Sequence, residues 1–60
     1  MNAKFQVKGM DKLGNVARDI IVKVNLQAVD PIVNAQLRCE ALARESYGMA
    51  ISHIEFKEVF

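Results

Sequence analysis

Cys39 and His53 are the only cysteine and the only histidine of the chain, so they are the one pair that could support nucleophilic catalysis. Such catalysis needs a nucleophile beside a base that a third group holds in place. The patterns described below put Cys39 on the buried stripe of a helix and His53 on the far side of a sheet. We therefore expect Cys39 to be a small buried hydrophobic residue and predict no catalytic residue.

Metal and cofactor sites are not predicted either. One Cys and one His do not supply the closely spaced soft ligands of a structural zinc site. The three glycines, at positions 9, 14 and 48, fit neither a P-loop nor a dinucleotide-binding fingerprint. The acidic residues Glu40, Glu45, Glu55 and Glu58 are spaced along surfaces rather than gathered in a pocket. The sequence thus predicts no cofactor and no enzymatic activity.

The length of the chain limits how it can be stabilised. With 60 residues, of which 52% are hydrophobic, it should form one domain covering residues 1–60 around a small core. Domains of this size usually need a disulfide, a metal ion or a second subunit. A single cysteine allows no internal disulfide, so we predict self-association, most simply as a homodimer.

Charge and hydropathy give expectations about location. A net charge of +1 provides no strong field toward nucleic acid or an anionic membrane. The longest apolar runs, such as Ile20-Ile21-Val22, are far shorter than the roughly 20 residues that cross a bilayer. The polar first ten residues lack a signal-peptide core. We expect a soluble cytoplasmic protein that does not bind membranes.

Two stretches before Asp30 alternate with the period of two that is typical of strands. In the first, Phe5 and Val7 share the inner side, and Gly9 and Met10 end the strand. Residues 11–15 then predict a hairpin with its tight point at Gly14-Asn15. The second stretch runs from Val16 to Val29. Its inner residues are Ile20, Val22, Val24, Leu26 and Ala28. Its outer residues are Asp19, Lys23, Asn25 and Gln27, and Ile21 interrupts them.

A helix is predicted to begin at Asp30-Pro31, because Asp accepts hydrogen bonds from free first-turn amides and Pro suits the first helical position. It should continue to Tyr47 and end at Gly48 in the left-handed conformation. One stripe should cover the sheet: Ile32, Ala35, Cys39, Leu42, Ala43 and Ser46. A second apolar line, left exposed in a monomer, consists of Val33, Leu37 and Ala41.

The segment from Met49 to Phe60 alternates again and predicts a third strand. Its inner residues are Ala50, Ser52, Ile54 and Phe56. Its outer residues are Ile51, His53, Glu55 and Lys57. Because strand–helix–strand crossovers are right-handed, strands two and three should run parallel, with the helix on one face. The result is an α+β fold of ββαβ order with a three-stranded mixed sheet. We favour strand order 2-1-3, in which strand one lies in the middle and antiparallel to both neighbours, over the alternative that places strand three beside strand two.

The best-supported function is a small non-catalytic interaction or regulatory module that acts as a homodimer with an unknown protein partner. Modules of this size are typical of short accessory reading frames in bacteria and their phages. Strand two is long and lacks proline, so its edge could pair with a second copy to form a six-stranded sheet. The candidate dimer or partner surface consists of Ile21, Lys23, Val33, Leu37, Ala41 and Ile51.

The alternative function is weak nucleic-acid binding by the uncovered face of the sheet. The residues that would contact phosphates or bases are Lys4, Lys8, Lys23, His53 and Lys57. Sheets that bind single strands stack bases on exposed aromatic residues. Since Phe5, Phe56 and Phe60 all have inward parity, this alternative ranks second.

Overall fold

A computed structural model describes residues 1–27, 29 and 31–60 of the chain. The elements are β1 (Asn2–Asp11), β2 (Ala17–Asn25), α1 (Ile32–Glu45) and β3 (Met49–Val59). β1 is the central strand and pairs with both others, which gives the sheet order β2-β1-β3. The predicted α+β class, ββαβ order and 2-1-3 arrangement are confirmed.

The directions of the strands confirm the central strand that the favoured order predicts to be antiparallel to both neighbours, and they make the sheet antiparallel rather than mixed. β1 is antiparallel to β2 and antiparallel to β3. β2 and β3 therefore run parallel to each other, as the crossover predicts, but β1 separates them. Every hydrogen-bonded pair of neighbours is antiparallel, so the sheet is antiparallel throughout. A mixed sheet would have required β3 to lie directly beside β2.

The core lies between α1 and one face of the sheet, where the period-two and helical patterns placed it. The buried apolar residues are Ala3, Phe5, Val7, Val22, Val24, Leu26, Ala35, Cys39, Ala43 and Met49. Ile32 and Leu42 of the predicted helical stripe are partly buried against them. Ser46 is exposed and caps the helix C-terminus instead of covering the sheet. Ala28, predicted to face inward, lies outside the described residues.

The first hairpin extends further along β1 than the sequence predicted. Gly9 and Met10 continue the strand to Asp11 instead of ending it. Asn15 has φ 53°, which confirms the left-handed turn position at Gly14-Asn15. The Asp11 carboxylate Oδ1 accepts a hydrogen bond from the Leu13 amide at 2.8 Å, which orders the turn. The turn thus uses the strand residue Asp11 as its anchor.

β2 and α1 are both shorter than predicted. β2 ends at Asn25, and Val29 lies in a turn. Pro31 has φ −70° and ψ 154°, so it is an extended cap residue, and the helix begins at Ile32. Because ψ at Pro31 is extended, its predicted place in the first helical turn is wrong. The predicted capping residue Asp30 lies outside the described residues.

α1 ends at Glu45, two residues before the predicted end at Tyr47. The amides of Ser46 and Tyr47 both donate to the Leu42 carbonyl oxygen, at 2.8 and 3.3 Å, and this shared acceptor ends the regular helix at Glu45. Gly48 then adopts φ +62°, which confirms its predicted left-handed conformation. β3 starts immediately afterwards at Met49.

β3 contains two bulges that the sequence analysis did not predict. Lys8 pairs with His53 while Gly9 pairs with Ile51, which leaves Ser52 as an extra residue. The second register shift lies between Lys4 and Phe5 and leaves Lys57 as the extra residue. Each inserted residue reverses the alternation of side chains beyond it. The period-two pattern therefore holds only between the bulges.

Two bulges explain which side-chain orientations in β3 were wrong. His53 and Glu55 point outward and Ile54 and Phe56 inward, as predicted. Ile51, predicted to lie on the outer face, pairs with buried Gly9 and packs against the core. Ala50 and Ser52, predicted to face inward, are exposed.

Candidate functional site

The face of the sheet opposite α1 has no covering element among the described residues, and we call it the open face. It consists of the outward side chains of the strands and Phe60. Cross-strand pairs arrange it in rows. Lys23 and Glu58 flank Lys4, and Asp19 and His53 flank Lys8. A third row places Gln6 between Ile21 and Glu55. In these three rows the side chains are charged or polar except for Ile21, which lies near the middle of the β2 side.

Charges on the open face are largely paired with one another. Lys4 Nζ lies 2.9 Å from Glu58 Oε1, and Lys57 contacts Glu55. The hydrogen bond from Lys57 and its positive charge lower the pKa of Glu55 below its ordinary value of 4.5. Because lysines and glutamates are paired in this way, the open face carries both positive and negative charges and is not uniformly basic.

Phe60 lies on the open face, which corrects its predicted inward orientation. Its backbone pairs with Asn2 through two hydrogen bonds of 2.8 Å, beyond the bulge at Lys57 that reverses the alternation. Lys4 Nζ and Lys23 Nζ lie 5.2 and 5.5 Å from the centre of its ring, within cation–π range. The ring remains half-exposed. The open face therefore carries one aromatic residue flanked by two lysines.

The predicted interface residues fall in three separate places. Ile21 and Lys23 line an open depression on the open face together with Lys4, Lys57 and Glu58. The helical line is exposed on α1 and does not contribute to the buried core: Val33, Leu37 and Ala41. Ile51 packs inward and belongs to neither surface. Since α1 covers the opposite face of the sheet, these residues do not form one patch.

The predicted nucleic-acid residues share one face. Lys4 and Lys23 are directly opposite each other on β1 and β2, and Lys8 is opposite His53 on β3. Lys57 occupies the bulge position but borders the same depression as Lys4 and Lys23. The structure thus brings all five together, interleaved with acidic groups.

β2 forms one free edge of the sheet. Leu26 donates its amide to the Met1 carbonyl at 2.8 Å, and Asp11 donates to Val16 at the other end. By the alternation of antiparallel ladders, even-numbered β2 residues bond to β1, and odd-numbered residues 17–25 direct their backbone groups away from it. Arg38 Nη2 of α1 donates to the carbonyl of Asn25 at 2.6 Å. The helix therefore covers one end of this edge and leaves its centre accessible.

Cys39 lies on the side of α1 that packs against the sheet and is fully buried, as expected. Burial, with a smaller contribution from the negative charge of Glu40, raises the pKa of its thiol to about 11. At neutral pH the residue is therefore a protonated thiol, which is a poor nucleophile. Within the described part of the chain, no three His, Cys, Asp or Glu side chains cluster as metal ligands.

Sequence reasoning missed Phe60, Arg38 and the bulges. Gly9 carried a usable signal, because an isolated glycine in an alternating strand often marks a bulge or a close backbone approach. A Cβ at Gly9 would lie 2.2 Å from the carbonyl oxygen of Ala50, so β3 approaches β1 there as closely as only glycine permits. Nothing comparable in the sequence marked Lys57, and so nothing indicated that Phe60 faces outward.

Comparison with protein-family models, curated proteins and solved structures found no match to this chain. None of the described helices combines the length and apolar character that a membrane crossing requires.

Proposed function

We propose that the protein is a small non-catalytic interaction module that acts as a homodimer. The observation that carries this proposal is the free edge of β2, whose pairing with β1 keeps one register from Asn25 to Ala17. Ile21 at its centre is 52% exposed on the open face. A regular edge with an exposed apolar residue is a template for pairing with another strand.

The small size of the core supports the same proposal. Four of the ten buried apolar residues among those described are Ala or Cys, which bury little area each: Ala3, Ala35, Cys39 and Ala43. A chain of this size gains little from such a core, and a second subunit adds burial without a disulfide or a metal. The open face and the exposed line Val33, Leu37 and Ala41 would remain available to a further protein partner.

Sedimentation equilibrium tests the homodimer. Between about 1 and 300 µM, a range that brackets ordinary dimer affinities, the mass should rise from that of one 6.7 kDa chain to twice that value. A single-chain mass throughout this range, together with a cooperative and high melting temperature, would refute the proposal. It would mean that the core of a single chain is sufficient to stabilise the fold.

A second function, binding of single-stranded nucleic acid, is favoured by the ring of Phe60. It is an exposed aromatic residue between Lys4 and Lys23, the combination on which a base can stack while lysines contact phosphates. Phe60→Ala should weaken binding to a labelled oligothymidine at low salt by about 1–3 kcal/mol. Phe56→Ala, on the inner face, is the matched control. Absence of any binding by the unmodified protein at 20 mM salt would exclude this function.

A further inference from the structure

The free edge of β2 carries side chains that are complementary to themselves about one point. Asp19, Ile21 and Lys23 all point to the open face, and their backbone groups point away from β1. Ile21 is the midpoint of the nine-residue strand. An antiparallel copy centred there would overlap along the whole strand.

We propose that two chains pair antiparallel through β2, with the two-fold axis passing between the two Ile21 residues. This inference rests on the proposed homodimer and gives its interface and register. In this register, Asp19 lies opposite the second copy's Lys23, and Lys23 lies opposite the second copy's Asp19. The two Ile21 side chains meet at the centre. Opposite charges and paired β-branched residues are the favourable cross-strand neighbours of an antiparallel sheet.

Neighbouring registers lack this complementarity. A two-fold axis at Asp19 would place two carboxylates opposite each other, and one at Lys23 would oppose two ammonium groups. An axis at Ile20 would place Ile21 opposite the second copy's Asp19, and an axis at Val22 would place it opposite the second copy's Lys23. Only the register centred on Ile21 combines full overlap with matched charges.

Contacts already made by these side chains leave the pairing possible. Asp19 accepts a hydrogen bond from Gln6 Nε2 at 2.9 Å, and Lys23 lies over Phe60, but both side chains remain exposed. Arg38 occupies the Asn25 carbonyl, so the outermost pairs of the ladder are weakened and the three central ones carry the interface. The product is one six-stranded antiparallel sheet with both helices on the same face.

Charge reversal tests the register by sedimentation. Asp19→Lys or Lys23→Asp alone opposes like charges at two symmetric places and should raise the dimer dissociation constant on the order of tenfold or more. An equimolar mixture of the two variants should restore association as a heterodimer, because each chain then meets the opposite charge. The double variant D19K/K23D should restore the homodimer.

Matched controls lie away from the open face. Glu45→Lys at the end of α1 and Lys12→Asp in the hairpin turn change the net charge by the same amounts and should leave the dissociation constant within about twofold, as for exposed charges away from the contact. If the unmodified protein dimerises but mixing restores nothing, the register is overturned while the homodimer stands. If the unmodified protein is monomeric at every concentration, both fail.

A disulfide provides an independent measurement that does not depend on charge. The Cα atoms of a directly hydrogen-bonded antiparallel pair are about 5.5 Å apart, within the range that a disulfide spans. Ile21→Cys should therefore form a covalent dimer under mild oxidation. Leu37→Cys, on α1, should form much less, and buried Cys39 should stay reduced. A dimeric protein whose Ile21→Cys variant cross-links no faster than Leu37→Cys would contradict the proposed axis.

Discussion

The two edges of this small sheet differ in regularity. β2 keeps one register with β1 along its whole length, whereas β3 shifts register twice, at Ser52 and at Lys57. Bulges twist a strand and interrupt the row of backbone groups that a further strand would use, so they protect an edge from pairing. The comparison teaches that the β2 edge is the more regular template for a further strand, whereas the β3 edge is interrupted.

Single residues account for both edges. Gly9 lets the backbone of β3 approach β1 at the first bulge, since no side chain fits against Ala50 there. Ser52, the extra residue, donates its hydroxyl to the Lys8 carbonyl at 3.2 Å. On the other side, Arg38 protects only the Asn25 end of β2. The difference between the edges can therefore be removed or increased by point substitutions.

The largest expected effect comes from Gly9→Ala, which would disturb the pairing of β3 with β1 and so change one of the two edges that are compared. The added methyl group overlaps the Ala50 carbonyl, so β3 must move, and unfolding should require at least ~2 kcal/mol less free energy. Gly14→Ala is the matched control, because its Cβ would come no closer than 3.4 Å to Val16. Urea denaturation followed by circular dichroism measures both. Equal midpoints for the two variants would show that the close approach is not needed.

Ile21→Lys should weaken the dimer without weakening the fold. Two lysines would meet at the proposed two-fold axis, and the dissociation constant should rise about tenfold, as expected for like charges directly opposed. Leu37→Lys, on the exposed line of α1, should leave it unchanged. Sedimentation of both variants separates the two predicted surfaces. Loss of association in Leu37→Lys alone would assign the dimer to the helix.

Arg38→Met should have a smaller effect, and it would make more of the β2 edge accessible. Without the guanidinium, the Asn25 carbonyl becomes available to a second copy, and the dimer should tighten by no more than about threefold. Unfolding should cost at least about 0.5 kcal/mol less free energy, because the substitution removes the hydrogen bond to Asn25. Arg44→Met, which removes only a 3.9 Å contact with Glu40, serves as the control. Weaker association of Arg38→Met would mean that the arginine takes part in the interface.

The smallest effect concerns the charged pair beside the second bulge. Because Lys57 lowers the pKa of Glu55 in the folded state, the pair stabilises the fold fully above pH 4.5, and this contribution is lost as the pH falls through the folded-state pKa. Glu55→Gln and Lys57→Met should therefore show the same slightly shallower loss of stability on acidification. Thermal melts between pH 2.5 and 6 measure it. Acid profiles identical to that of the unmodified protein would exclude the linkage.

Sequence patterns were sufficient for the fold but not for β3. Uninterrupted alternation placed Phe5, Val7, Val22 and Val24 correctly, and helical spacing placed Cys39 on the core side. An alternating pattern in the sequence does not show where an extra residue interrupts the strand pairing. One bulge therefore turned Ile51 inward and the other turned Phe60 outward, against the predicted orientations. Arg38 could not be connected to Asn25 from sequence, because that contact depends on how α1 crosses the sheet. The candidate surface was thus predictable on β2 and not on β3.

Amide hydrogen exchange along β2 tests the central claim most directly. In a monomer, the amides of Ile20, Val22 and Val24 bond to β1 and exchange slowly, while those of Asp19, Ile21 and Lys23 face the free edge and exchange fast. Pairing through this edge predicts that the odd-numbered amides also become slow, increasingly so at higher protein concentration. The amides of Ile54 and Phe56 on the β3 edge should stay fast. An alternating pattern in β2 that persists at every concentration would contradict the account.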